Sequence, residues 1–278
     1  MKNVNKKLSW LNKDVFILLT GLFLIAQTLG LIVAQKLILL DIKSAPITGD
    51  LNNPLEAIYL IVMILIMTTF ILILLKYKKN KSLWIFEALA IFSTSIIVFG
   101  SFFPKDDSLV FLITIVILAF RYTHKENKLF KNFVSILAIS GAGAILGISL
   151  GLIPVLIFII LLSIYDFIAV FKTKHMVTMG KSIIKQNLAF TLSIPTKKHN
   201  FELGNGDLVI PLIVATSVFA NGFFMNNFLV AILCLIASYI GIMFSIYTVS
   251  VKKIPLPALP PQTALMVLVI IISFLLGL

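Results

Sequence analysis

From Ala57 to Leu75 the chain runs through apolar residues broken only by Tyr59, Thr68 and Thr69, and from Leu152 to Phe171 a second such run carries a single charge, Asp166. A helix needs about 20 mostly apolar residues to cross the hydrocarbon core of a bilayer. There its backbone groups must find partners within their own segment. Similar runs recur near 15–34, 56–75, 83–103, 109–121, 133–150, 153–171, 206–220, 227–249 and 260–277. The expected fold is therefore an all-α polytopic membrane protein with nine transmembrane helices in a single transmembrane domain, 1–278. Composition agrees: 60% of the 278 residues are hydrophobic and 12% charged, against about 45–50% and 25% in soluble domains. A soluble globular enzyme is excluded. The fourth segment is short, and only Gly151-Leu152-Ile153-Pro154 separates the fifth from the sixth.

The loops supply an independent test, because cytoplasmic loops carry an excess of Lys and Arg. Lys2, Lys6, Lys7 and Lys13 precede the first segment, and Lys76, Lys78, Lys79 and Lys81 follow the second. Arg121, Lys125, Lys128 and Lys131 follow the fourth; Lys172, Lys174, Lys181, Lys185, Lys197 and Lys198 follow the sixth; Lys252 and Lys253 follow the eighth. The intervening loops hold Lys36, Lys43 and Lys105. This alternation requires all nine crossings and implies a cytoplasmic N-terminus and an external C-terminus. The net charge of +12 is then a topology signal at lipid headgroups, not a nucleic-acid footprint. The basic start followed by an apolar run resembles a signal peptide, but no convincing small-residue cleavage site follows, and the first helix is expected to stay. Cys234, the single cysteine, excludes an internal disulfide and reads as a packing residue.

Intramembrane carboxylates are functional candidates because burying one in a bilayer is costly. Asp14, Asp41, Asp50, Asp106, Asp107, Glu126 and Glu202 fall in loops or at their edges, and Glu56 and Glu87 lie near helix ends, within reach of the interface. Two remain. Asp166 lies five residues before Phe171, roughly 8 Å inside the cytoplasmic end at about 1.5 Å per residue. Asp207 closes Gly204-Asn205-Gly206-Asp207 and opens the seventh helix from the same side. Two carboxylates facing each other in a dry site share a proton. One can then act as base on water while the other polarises a carbonyl. A structural or proton-relay pair is the alternative on the acids alone. The glycines let the backbone approach a substrate closely beside Asp207. In Pro255-Leu256-Pro257-Ala258-Leu259-Pro260-Pro261 the prolines forbid helix across Leu256 to Leu259, and irregular backbone at membrane depth requires protein or a wet cavity around it.

These three motifs, Tyr165-Asp166, Gly204-Asn205-Gly206-Asp207 and Pro257-Ala258-Leu259, occur in the order found in the presenilin and signal-peptide-peptidase superfamily of GxGD intramembrane aspartyl proteases, which the sequence resembles. The charge count matches the presenilin orientation, so the sequence is most similar to microbial presenilin homologues. The resemblance implies that Asp166 and Asp207 are the catalytic pair and Tyr165 a neighbour shaping the site. Gly204 and Gly206 would open the site, and Pro257, Ala258 and Leu259 would support its geometry and the substrate. It implies no metal and no cofactor. Asn205 departs from the leucine common at that position, which bears on substrate preference and cleavage register. Segments 1–152 are expected to form a scaffold of helices one to five, and 153–278 to carry the catalytic motifs on helices six to nine.

The loop 172–203 reads from Met176 to Ile194 as an interfacial amphipathic helix. By family analogy it covers the site and is a place for self-cleavage. Gly147-Ile148-Ser149-Leu150-Gly151 matches the serine-hydrolase elbow string but lacks its strand and histidine, since His124, His175 and His199 fall in loops on the opposite face. The spacing Gly143, Gly147, Gly151 reads better as a face for close helix packing. No zinc-protease H-E-x-x-H is present. The expected partners are single-span membrane protein substrates and the lipid bilayer, with no nucleic acid; accessory subunits cannot be read from one chain. The expected location is a multi-pass position in the cell membrane. A prepilin-peptidase-like enzyme and a proton-coupled transporter are the competing readings; the proline motif disfavours the first and the lack of an internal repeat the second. An extended substrate is expected to add as a strand beside Pro257-Ala258-Leu259 or the loop before Gly204.

Overall fold

The computed structural model describes residues 13–42, 48–77, 80–172, 175–195, 200–252 and 256–278. Lys2, Lys6, Lys7, Lys43, Lys78, Lys79, Lys174, Lys197, Lys198, His199, Lys253 and Pro255 lie outside the described residues. Helices α1 (Lys13–Leu39), α2 (Pro54–Lys76), α3 (Asn80–Phe102), α4 (Asp107–Thr123), α5 (Lys128–Ile148) and α6 (Leu152–Phe171) are followed by a shorter α7 (His175–Lys185). Strands β1 (Thr191–Pro195) and β2 (Asn200–Gly204) then lead into α8 (Gly206–Ala220), α9 (Asn227–Lys252) and α10 (Leu259–Leu275). Among the described residues, six helices are long and apolar enough to cross a membrane: α1, α2, α3, α5, α6 and α9. Helices α8 and α10 are shorter and apolar, with 15 and 17 residues.

Local chemistry sets the helix ends. Asn53 accepts the amide of Leu55 at 3.0 Å and Asn127 that of Phe130 at 3.1 Å, each satisfying an amide that has no helical partner. Pro54 and Pro260 sit where a missing N–H is harmless.

Helix α8 is central. It packs on α5, α9, α1 and α6 and is buried without interruption from Ile210 to Val218, as expected of a helix that is apolar all round. Glycines let α5 approach it. A methyl group on Gly143 would meet Leu212, and one on Gly147 would lie 2.6 Å from the Ile213 carbonyl oxygen. The Thr216 hydroxyl donates to the Gly143 carbonyl at 3.0 Å, the kind of interhelical bond that close packing permits. Gly151 does something else: it precedes α6 and packs on Leu51 and Asn52.

Several sequence expectations change here. The chain is not wholly α, because β1 and β2 form an antiparallel hairpin with Thr191 opposite Gly204 and Ser193 opposite Glu202. The amphipathic segment forms a helix only over His175–Lys185; its end is strand β1, whose Leu192 and Ile194 enter a core shared with Leu19 and Phe23 of α1 and Leu208 of α8. Glu56 and Glu87, expected near helix ends within reach of the interface, are buried in protein. Glu56 accepts the backbone amide of Thr48 at 2.7 Å. Glu87 pairs with Arg121 at 2.9 Å and accepts the Ala189 amide at 2.9 Å. Arg121 and Lys131 are likewise buried and are not headgroup cations, because acidic partners within the bundle neutralise them. Glu202 is part of β2, with its side chain paired to Lys131 at 2.9 Å.

Candidate active site

Asp166 faces inward from α6 and is 6% exposed. Its Oδ2 accepts the backbone N–H of Leu259 at 3.3 Å. That amide is available because Leu259 begins α10, where the first N–H groups have no helical acceptor. Before it, Leu256 and Pro257 are non-helical, Pro257 is buried and Ala258 is the N-cap. The prolines thus deliver a free amide to a buried carboxylate, and helix starts at Leu259, one residue earlier than expected.

Asp207 is the second residue of α8. Its Oδ2 lies 3.5 Å from where a side chain on Gly204 would begin, so the absence of a side chain at Gly204 leaves room beside the carboxylate. Gly206 is exposed with open space around it. Helices α6 and α8 pack on one another, so Asp166 and Asp207 stand on adjoining helices. Pro211, four residues on within α8, removes the amide that would otherwise bond the Asp207 carbonyl. Tyr165 is half-buried and shares a hydrogen bond with Thr68 of α2, tying the helix that carries Asp166 to its neighbour.

Asn205, at the variable position of the GxGD string, bonds to the chain ahead of β1. Its Nδ2 donates to the Ala189 carbonyl at 2.9 Å and its backbone N–H to the Phe190 carbonyl at 3.0 Å. The Ala189 amide in turn donates to Glu87. The side chain is therefore bonded to the backbone leading into β1, and what it sets is the junction between β2 and α8. Sequence reasoning also missed Lys131, Asn132, Thr191 and Ser193 around the hairpin; only a polar residue pair inside an otherwise apolar helix hinted at the first two.

The fold is that of a polytopic helical membrane protein that carries two carboxylates, Asp166 and Asp207, on adjoining helices. A family model described as signal-peptide peptidase, presenilin aspartyl protease matches residues 20–278. Two solved structures of a presenilin family intramembrane aspartate protease are similar. The one in space group P2 has a TM-score of 0.67 at 23% identity, covering 92% of this chain and 95% of that one. The one in C222 has a TM-score of 0.68 at 22% identity, covering 92% and 96%. No curated protein sequence matches. The chain belongs to the signal-peptide peptidase and presenilin family of aspartyl proteases. It is an integral membrane peptide hydrolase, an intramembrane aspartyl protease.

Proposed function

We propose that Asp166 and Asp207 are the catalytic pair, and that the enzyme hydrolyses peptide bonds within the membrane segments of single-span proteins. The observation that carries this reading is a pair of carboxylates on adjoining helices, Asp166 buried and held by the Leu259 amide and Asp207 half-buried beside the bare backbone of Gly204. One carboxylate, ionised, takes a proton from water as the oxygen adds to the scissile carbonyl carbon. The other, protonated, gives its proton to the carbonyl oxygen. Collapse of the tetrahedral diol breaks the C–N bond, with a proton passing to the leaving nitrogen. Neither metal nor cofactor enters these steps.

A substrate helix has its backbone bonds satisfied internally and must unwind before water can attack. The outer edge of β2 and the non-helical Leu256–Ala258 offer backbone for an extended substrate to pair with. In the membrane, all nine helices other than α7 cross, with the N-terminus cytoplasmic, the C-terminus external and both aspartates near the cytoplasmic side of the cell membrane; the lysine alternation, carried between α4 and α5 by Lys125 and Lys128 rather than by the buried Arg121 and Lys131, supports this. Helices α1 to α5 then act as scaffold and α6 to α10 carry the reacting groups, while the segment 172–203 covers the site from the cytoplasm. A peptide bearing a hydroxyl-containing tetrahedral isostere at the scissile position tests the reading, because such analogues bind tighter than substrate. Competitive inhibition of cleavage by the isostere supports it. Substrate-driven pH changes in proteoliposomes without peptide products would instead favour a proton-coupled transporter.

A further inference from the structure

Lys131 is fully buried, yet each of its three ammonium protons has an acceptor. It donates to Thr191 Oγ1 at 3.0 Å, Ser193 Oγ at 3.0 Å and Glu202 Oε2 at 2.9 Å. The carboxylate is equally well occupied: Thr191 Oγ1 donates to Oε2 at 2.7 Å and Ser193 Oγ to Oε1 at 2.6 Å. Thr191 and Ser193 share one face of β1 because side chains alternate along a strand, and Glu202 stands opposite Ser193 on β2. The cage therefore joins α5 to both strands at once.

The two strands are held differently. Strand β1 is fastened to α5 by its backbone: Asn132 donates to the Ser193 carbonyl at 2.8 Å and accepts the Ser193 amide at 2.7 Å, and Ser135 donates to the Ala189 and Thr191 carbonyls. Strand β2 has no comparable bond to α5 among the described residues apart from Glu202. A slip of β2 by two residues would preserve which side chains face each way. It would also bring Asn200 or Gly204 opposite Ser193 and leave the Lys131 ammonium buried without its carboxylate, the costly outcome for a buried ion pair. The same slip would carry Gly204 to Asp207 along the strand by roughly 7 Å.

We propose that Lys131 is a positioning residue for proteolysis: through Glu202 it selects the one hairpin register that brings Asp207 to Asp166, and so fixes where on the substrate the cut falls. This rests on the catalytic assignment of the two aspartates and adds what holds one of them in place.

The test uses the full chain in liposomes with a single-span test peptide, comparing wild type, Lys131→Met, Lys131→Arg, Glu202→Gln and Glu202→Asp. Products are mapped by mass spectrometry, and kcat and KM are measured separately on folded, monodisperse protein. Lys131→Met and Glu202→Gln should lower kcat by roughly tenfold or more, as misplaced reacting groups do, with KM within about threefold and new products cut at displaced positions. Lys131→Arg and Glu202→Asp, which keep the charges, should restore the wild-type product set in part. If Lys131→Met does not fold, the two Glu202 variants decide. A wild-type product set and kcat per folded molecule in the Glu202→Gln protein would overturn the proposal. Asp166→Asn and Asp207→Asn run alongside: cleavage surviving in these would overturn the catalytic assignment, a failure distinguishable from unchanged products in the clamp variants.

Discussion

The backbone amide of Leu259 donates to Oδ2 of Asp166 across 3.3 Å, although 93 residues separate the two in sequence. This one bond joins the proline-rich start of α10 to the carboxylate of α6. It explains why a non-helical Leu256–Ala258 segment belongs beside a buried acid. Pro257 limits the backbone just ahead of the donor. Replacing it by Ala frees that backbone and lets the amide drift from Asp166. Pro257→Ala should lower kcat by about tenfold while stability changes by no more than about 1 kcal/mol. Turnover and thermal unfolding in detergent check both; unchanged turnover contradicts the role.

Arg121 and Glu87 form a buried pair, with side chains 3% and 2% exposed, that reaches the hairpin through the Ala189 amide. Removing one partner strands the other charge. Arg121→Met should destabilise by about 3–5 kcal/mol, and the double variant Arg121→Met, Glu87→Met should recover much of that. Chemical denaturation of the single and double variants gives the answer; equal losses in both would contradict the pairing argument.

Helix approach at Gly147 is equally specific. A methyl group there would collide with Thr216 Oγ1 and lie 2.6 Å from the backbone oxygen of Ile213, whereas one on Gly21 of α1 meets nothing within 4 Å. Gly147→Ala should therefore cost about 1–3 kcal/mol by overpacking, and Gly21→Ala should be neutral or slightly stabilising. A comparison of their melting temperatures separates a packing glycine from a tolerated one.

Burial pushes the Glu202 carboxyl up, but hydrogen bonds from Ser193, Thr191 and Lys131 together with the Lys131 charge outweigh it and hold the group below its ordinary value of 4.5. A carboxylate depressed on folding contributes stability that is fully present above its unfolded value and lost as pH falls through the folded one. Wild type should thus lose its stability advantage over Glu202→Gln only below about pH 4.5. Melting curves across pH 3–7 test this, and an advantage that persists unchanged at the acid end would contradict it.

The helical bundle was legible in the sequence because lipid-depth segments announce themselves by long apolar runs. The span read at 206–220 coincides with α8, Gly206–Ala220. The one read at 133–150 is observed as Lys128–Ile148, displaced because Lys128, Lys131 and Asn132 look like loop residues. The pairs that would have corrected this are remote. Lys131 meets Thr191 and Glu202 across 60 and 71 residues, and no local periodicity encodes such a contact. The hairpin escaped for a related reason: each strand has five residues and ends in proline or glycine, and β1 packs against α5 and α1. Asp166, Asp207 and the Pro257-Ala258-Leu259 segment stood out because each breaks a rule for membrane segments, a buried charge or a broken helix. Tyr165 and Asn205 break no such rule, and only the fold shows that they bind Thr68 and the Ala189 carbonyl.

Whether Asp166 and Asp207 together cleave peptide bonds inside the membrane is decided by cleavage of a single-span peptide in liposomes by wild type, Asp166→Asn and Asp207→Asn, with products identified by mass spectrometry and folding of each variant verified by thermal unfolding. Intramembrane products are expected from wild type and none from either folded variant. Equal cleavage by all three would contradict the catalytic assignment.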